Sequence, residues 1–318
     1  MSALVGFALS SLLASFANSF ALLIAGRVLQ AVFGTALLPV ARTMIRLVTP
    51  AHERGRNFGM QESLIGVGAA SGPLVGGLLV ELGGWSGVFL VNVPIAALAL
   101  VLVRGVPIGA SSASAADPNR SKPRLRSVLT AGSFAAPFAS QAAAVLAQYS
   151  LLLTVPIVLD DRGWSSAGVG AGLVLLTVGM VVSGPAGGRL GDRTGRRFPV
   201  YIGLAGATIG TGLAMVAIDS TPAVVLIGIA AFGLGFGLAL PNLTSSALET
   251  APPELAGATS GVWSMSRYVG SIPASLLFTV VVSDDVAQAQ TLLVVALGAM
   301  IVALGCASLM GAGHERPE

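Results

Sequence analysis

A few polar side chains interrupt long apolar stretches, where they could bind a polar solute or carry protons. Arg27 and Gln30 lie in FALLIAGRVLQAVFG, and Arg267 lies in SMSRYVGSIPASLLF. An arginine within a membrane is energetically costly and therefore marks a candidate functional site, unless it extends to the lipid headgroups. Further polar residues could line a cavity or hydrogen-bond a neighbouring helix, and these are Gln141, Gln148, Tyr149, Asn242 and Trp263.

Several kinds of catalytic and metal site are excluded by residue type and spacing. The lone lysine, Lys122, follows Ser121, so the chain has no GxxxxGK[ST] phosphate-binding loop. Cys306 is the single cysteine, and the two histidines, His52 and His314, are far apart. We therefore expect no internal disulfide, no metal, no cofactor and no enzymatic reaction. Any uphill transport would then depend on an ion gradient or a partner.

The composition is that of an integral membrane protein. Hydrophobic residues make up 54% of the chain and charged residues only 10%, against about 25% charged residues in soluble domains. A helix crosses the bilayer with about 20 apolar residues. Ten stretches satisfy this approximately, although the first is short: 2–17, 21–46, 58–80, 86–104, 129–158, 166–186, 198–217, 222–246, 257–282 and 289–311. We interpret the first stretch as a span because it lacks the basic start of a signal peptide.

The basic residues predict the orientation of these spans. Fourteen of the 17 Lys and Arg residues lie on one side of the predicted bundle, and Arg162 lies on the other. Because basic loops stay in the cytoplasm, both termini and the polar 105–126 linker should be cytoplasmic, in the cell's cytoplasmic membrane. The net charge of +3 gives no reason to expect nucleic acid as a partner.

An internal repeat predicts two related helical bundles. When the chain is shifted by 202 residues, Pro39 meets Pro241, Pro50 meets Pro252, and the polar breaks between spans coincide. The bundles would comprise residues 1–104 and 127–311, followed by a tail at 312–318. By the same shift, the spans 129–158 and 166–186 have no counterparts in the first bundle. We therefore expect two helices, about 75 residues, to be missing before Met1, and no coupled transport by this chain alone.

Glycines recur along the third predicted span at fixed spacing. They form the pattern Gly59-x8-Gly68-x3-Gly72-Pro73-x2-Gly76-Gly77. Such glycines allow a neighbouring helix to approach closely, and a proline bends the helix. Simple packing would explain them too, but the full pattern resembles the signature of drug–proton antiporters in the major facilitator superfamily. The following WSGVFLVNVPIA resembles the connection to the next helix in those proteins.

Two further patterns carry the same resemblance. The loop Gly188-Arg-Leu-Gly-Asp192-Arg193-Thr-Gly195-Arg196-Arg197 is similar to the superfamily's GxLaDRxGRR motif. There Asp192 could pair with an arginine or cap a helix N-terminus, although the arginines could equally serve as cytoplasmic anchors. The pattern Gly26-Arg27-x2-Gln30-Ala31-x2-Gly34 resembles the family's RxxQGxG, with Ala31 where glycine is usual.

The resemblance implies a fold and a mechanism. The fold would be all-α, with two pseudo-symmetric bundles and about ten of twelve family spans present. A monomer in lipid would export small amphipathic molecules in exchange for protons, by rocking one bundle against the other. A uniporter or symporter of the superfamily, and a truncated protein without transport, remain alternatives. We expect Glu62 to reach water, so no carboxylate is predicted deep within a span.

Overall fold

The computed structural model describes residues 1–104, 125–217, 222–281 and 286–310. Within these ranges the chain is helical and contains no strand, which confirms the predicted all-α class. Residues 105–124 of the predicted linker and the predicted tail at 312–318 lie outside the described residues.

Twelve α-helices account for nearly all of the described residues. The first five are α1 (Ser2–Ser15), α2 (Phe20–Thr35), α3 (Leu37–Val48), α4 (Arg54–Leu90) and α5 (Asn92–Arg104). The others are α6 (Leu125–Thr130), α7 (Gly132–Asp161), α8 (Ser166–Thr194), α9 (Arg197–Val216), α10 (Pro222–Glu249), α11 (Ala256–Val281) and α12 (Val286–Ser308). The backbone of α4 breaks at Gly84, where φ is 67°. This left-handed conformation favours glycine because a Cβ atom would be strained there.

Seven stretches of the described residues are long and apolar enough to cross a membrane as helices. They are Phe20–Val48, Gly84–Arg104, Gly132–Asp161, Gly168–Thr194, Arg197–Val216, Ala223–Glu249 and Gln290–Ser308. The other three predicted spans are also helical, but α1 is only 14 residues long. The start of α4 and α11 are less apolar, since they contain Glu62 and Arg267 among small polar residues.

The helix boundaries repeat at the spacing found in the sequence. Adding 202 to the 3₁₀ helix Ala51–Glu53 gives 253–255, which is the 3₁₀ helix Pro253–Leu255. Each is preceded by a proline of nearly the same conformation, with φ and ψ of −55° and 148° at Pro50 and −58° and 152° at Pro252. Adding 202 to Arg54, the first residue of α4, gives Ala256, the first residue of α11. The repeat is therefore present in the local structure as well as in the sequence.

Contacts divide the chain into two compact units. The first comprises Met1–Met44 and Ala69–Ser121, and the second comprises Ile45–Gly68 and Lys122–Glu318. The first part of α4 thus groups with the helices of the later sequence. The predicted bundle limits at 104 and 127 stay a prediction, because this grouping reports compactness rather than the limits of the repeat.

Glycine allows the helices of the second unit to pack backbone against backbone. At the crossing of α9 and α10, a Cβ atom on Gly228 would lie 2.6 Å from the carbonyl oxygen of Gly210. Gly203 and Gly235 approach one another in the same way one layer further along. Around these crossings lie fully buried large side chains, including Trp263, Phe232, Phe236, Leu151 and Leu204. Close packing of this kind holds helices together in lipid, where apolar surface alone provides no attraction between them.

Candidate functional site

The first part of α4 lies directly on α8. A Cβ atom on Gly184 would lie 3.1 Å from the carbonyl oxygen of Gly59, and Gly55 and Gly188 approach one another even more closely. The hydroxyl of Ser63 donates a hydrogen bond of 2.7 Å to the carbonyl oxygen of Val181. We call this contact, formed by residues 55–63 of α4 and 181–188 of α8, the α4–α8 contact.

Asp192 binds the N-terminus of α4 next to this contact. Its carboxylate accepts hydrogen bonds from the backbone N–H groups of Gly55, at 3.0 Å, and Arg56, at 2.9 Å. These are first-turn donors that have no partner within the helix, and the helix dipole makes that end positive. Asp192 also pairs with Arg196, which reaches Glu249 of α10 at 3.1 Å. The side chain of Asp192 is therefore both a helix cap and an ion-pair partner.

The rest of the loop motif completes the turn between α8 and α9. Gly195 ends α8 with φ of 87°, a left-handed conformation that favours glycine. Arg197 begins α9 half-buried, and Arg193 is exposed. The loop thus contains an acid and a base engaged with α4 and α10, and an arginine that faces outward.

The glycines of the third predicted span divide into two groups. Gly59 is held against the backbone of Gly184. A Cβ atom on Gly68, Gly72 or Gly76 would meet no atom within 4 Å among the described residues. The surroundings of Pro73 and Gly77 lie outside the description. In this conformation, close packing accounts for Gly59 but not for Gly68, Gly72 or Gly76.

Glu62 forms a largely buried ion pair with Arg267. The closest carboxylate oxygen and guanidinium nitrogen are 3.3 Å apart, and the two side chains are 7% and 25% exposed, respectively. The prediction that Glu62 reaches water is therefore wrong. Glu62 lies one residue before Ser63, beside the α4–α8 contact, and Arg267 lies near the middle of α11. An acidic and a basic residue in two helices related by the repeat were the signal that could have suggested this pair.

Arg27 belongs to a polar cluster in the first unit. Its guanidinium donates to the side-chain oxygen of Gln30 at 2.9 Å, and the Gln30 amide donates to Ser11 at 2.7 Å. The Arg27 guanidinium also stands 5.5 Å from the ring centroid of Phe89, where the ring face attracts a cation. Gly26 makes this arrangement possible, since a Cβ atom there would lie 3.0 Å from that of Ala14 in α1.

Other predicted pathway residues are packed inside the second unit. Trp263 is fully buried and packs against Phe134, and Gln141 is 1% exposed. The Asn242 amide donates to the carbonyl oxygen of Gly187 at 2.9 Å, which joins α10 to α8.

Two neighbouring residues of α7 complete this predicted set. The Gln148 amide contacts the Met180 sulfur at 3.4 Å, and Tyr149 packs half-buried against the core. The side-chain oxygens of Gln141, Gln148 and Asn242 have no hydrogen-bond partner among the described residues. No three His, Cys, Asp or Glu side chains in the described part of the chain are grouped to hold a metal ion.

Comparison with known families assigns the chain. Residues 1–275 match the model of the Major Facilitator Superfamily. The chain belongs to this superfamily. The resemblance seen in the three sequence motifs is therefore confirmed, and the superfamily is one of transporters and not of enzymes.

The similar curated proteins include several resistance proteins. The multidrug resistance protein Stp of Mycobacterium tuberculosis (strain ATCC 25618 / H37Rv) is 26% identical over 83% of this chain and 59% of its own length. The tetracenomycin C resistance and export protein of Streptomyces glaucescens is 26% identical over 88% of this chain and 62% of its own. The puromycin resistance protein pur8 of Streptomyces alboniger is 44% identical, over 33% of this chain and 21% of its own. The chain thus spans about three fifths of the first two relatives.

Solved structures have the same fold. The transporter FucP, in the outward conformation, gives a TM-score of 0.76 at 15% identity, with 98% of this chain and 82% of FucP covered. A bacterial homologue of the iron transporter ferroportin, in the outward-facing state, gives 0.74 at 14% identity, with 96% and 82% covered. At these identities the likeness concerns the fold alone. It supports the two-bundle architecture of the superfamily.

Proposed function

We propose that this chain forms the core of a secondary transporter that exports small amphipathic molecules, drug-like compounds or metabolites, in exchange for protons. The observation that carries the proposal is the similarity to two resistance proteins over more than four fifths of this chain. The antiporter pattern from Gly59 to Gly77 supports the same conclusion. A riboflavin transporter of Clostridioides difficile is also similar, at 34% identity, but over only 30% of this chain.

Alternating access is the mechanism that we propose. The α4–α8 contact depends on a few close backbone approaches and on Asp192, so it can be made or broken as a unit. Space beside Gly68, Gly72 and Gly76 would admit another helix in a second conformation. Discrete alternative packings of this kind are the usual basis of conformational switching in proteins.

The pathway and the orientation belong to the same proposal. Arg27 and Gln30 would bind substrate or move protons, and the unpartnered oxygens of Gln141 and Gln148 would contact substrate after a rearrangement. The basic loop after α8 would lie in the cytoplasm, with both ends of the chain on that side of the cytoplasmic membrane. The working unit would be a monomer surrounded by lipid.

Dye efflux in an efflux-deficient bacterial host tests this function. The chain is expressed alone, and also preceded by any in-frame sequence upstream of Met1, and cellular ethidium is measured with and without a protonophore. We expect at least one form to lower ethidium retention and the protonophore to abolish the effect. Retention equal to that of the empty vector in both forms would refute export. Efflux that the protonophore leaves unchanged would refute proton coupling and favour a uniporter.

A further inference from the structure

We propose that Glu62 and Arg267 form a proton-operated ion pair that holds the first part of α4 against α11. Binding of one proton to a carboxylate oxygen of Glu62 would neutralise the acid, break the pair and release α4. The inference deepens the proposed function, on which it rests for the link to transport, because it names a site for the coupling proton. Neither the sequence patterns nor the matched family assigned a role to Glu62.

The position of the pair supports this role. Glu62 is enclosed, with a side chain 7% exposed, between Arg267 of α11 and the α4–α8 contact. Ser63, the next residue, is bonded to the backbone of α8, so a shift of Glu62 away from α11 would also strain that contact. An event at this one pair would therefore be felt by both neighbours of α4.

The physical chemistry of a buried pair links the proton to the separation of the helices. Protonation of Glu62 would leave the Arg267 cation without its counter-charge in a poorly solvated place, which is strongly unfavourable. Conversely, separation of α4 from α11 would leave an isolated carboxylate, and a carboxyl group in an apolar environment takes up a proton instead of remaining charged. Each event therefore favours the other, as thermodynamic linkage requires.

Stability alone gives little reason for an ion pair at this place. Two well-packed apolar side chains often hold helices together as well as a buried ion pair does. The pair adds a sensitivity to pH that apolar residues cannot provide. Its two members also come from helices that begin at equivalent points of the repeat, so they can approach at a similar depth.

Other titratable groups near α4 define what a test must separate. The stretch of α8 from Ser166 to Gly188 contains none, and α11 contributes Arg267 and the exposed Tyr268. In α7, which packs on α11, the titratable residues are Tyr149, Asp160 and Asp161. Asp192, Arg196 and Glu249 surround the start of α4, seven residues before Glu62, or about 10 Å along the helix. These carboxylates could also respond to pH, and their response must be distinguished from that of Glu62.

Distance measurements between two spin labels test the proposal without substrate or a proton gradient. The labels are attached to cysteines that replace Glu53 and Glu254, just before α4 and α11, with Cys306 replaced by serine. The protein is placed in nanodiscs of phosphatidylcholine and phosphatidylglycerol at pH 8.5 and pH 5.5. We expect a second, longer distance to become populated at low pH. For one proton, its ratio to the shorter distance rises by at most about tenfold per pH unit.

Three variants decide the outcome. Glu62→Gln should show the longer distance at both pH values, and the combined Glu62→Gln and Arg267→Gln variant should lose the pH dependence without leaving a charge unpaired. Glu81→Gln, an exposed position later in α4, should behave like the parent. A parent without pH dependence, or a combined variant that keeps it, would overturn the proposal. A pH-dependent distance in a protein without protonophore-sensitive efflux would instead refute the proposed function and leave the ion-pair switch standing.

Discussion

Replacement of Asp192 should release α4 from α8, and the size of the effect can be estimated from its contacts. The carboxylate accepts two backbone hydrogen bonds and pairs with Arg196, and the two side chains are 8% and 11% exposed. A hydrogen bond to a charged group is worth about 1.5–3 kcal/mol, and water can replace part of it at the more exposed Arg56 N–H. We therefore expect Asp192→Ala to destabilise the closed contact by about 2–4 kcal/mol. Asp192→Asn keeps an acceptor and should cost about 1–2 kcal/mol.

The rate of alkylation at a buried cysteine measures this change. Ser63→Cys places the thiol inside the α4–α8 contact, where it reacts only when the contact opens. Because 1.4 kcal/mol corresponds to a factor of ten, the labelling rate should rise about 30- to 700-fold with Asp192→Ala. The rise should be about 5- to 30-fold with Asp192→Asn.

The control for this measurement is Asp161→Asn, which changes an exposed acid at the far end of α7. It should leave the labelling rate unchanged. A rate for Asp192→Ala within about twofold of the parent would show that the cap and the ion pair do not hold the contact closed.

Further predictions concern packing, charge and orientation. Gly59→Ala should cost about 1–3 kcal/mol, since its Cβ atom has no room against α8, and should lower the melting temperature in detergent. Gly68→Ala, with open space around it, serves as the matched control, and equal melting temperatures would contradict this account. Arg27→Lys should keep part of the proton-coupled efflux and Arg27→Gln little, because the charge is what the cluster needs; equal coupling would leave Arg27 a headgroup contact. In intact cells, an impermeant thiol reagent should label a cysteine replacing Asp161 but not one replacing Arg193, and the reverse pattern would invert the topology.

The sequence by itself determined the class of the protein and the order of its helices. Lipid offers no hydrogen bonds to the backbone, so long apolar stretches must be helical, and this can be inferred locally. The repeat determined even small details, because the same proline precedes the same 3₁₀ turn in both halves. The loop motif identified Asp192 as a residue that could cap a helix, since an acid within a run of arginines is a local pattern.

Only the tertiary structure decided which of these groups meet. It placed Asp192 on the start of α4 and paired Glu62 with Arg267, 205 residues along the chain. It also showed that Gly59 is closely packed whereas Gly72, in the same pattern, is not. The periodicity of a helix determines which residues share a face, but not what that face contacts. That choice depends on how whole helices pack against one another, and two side chains far apart in sequence become partners only when those helices cross.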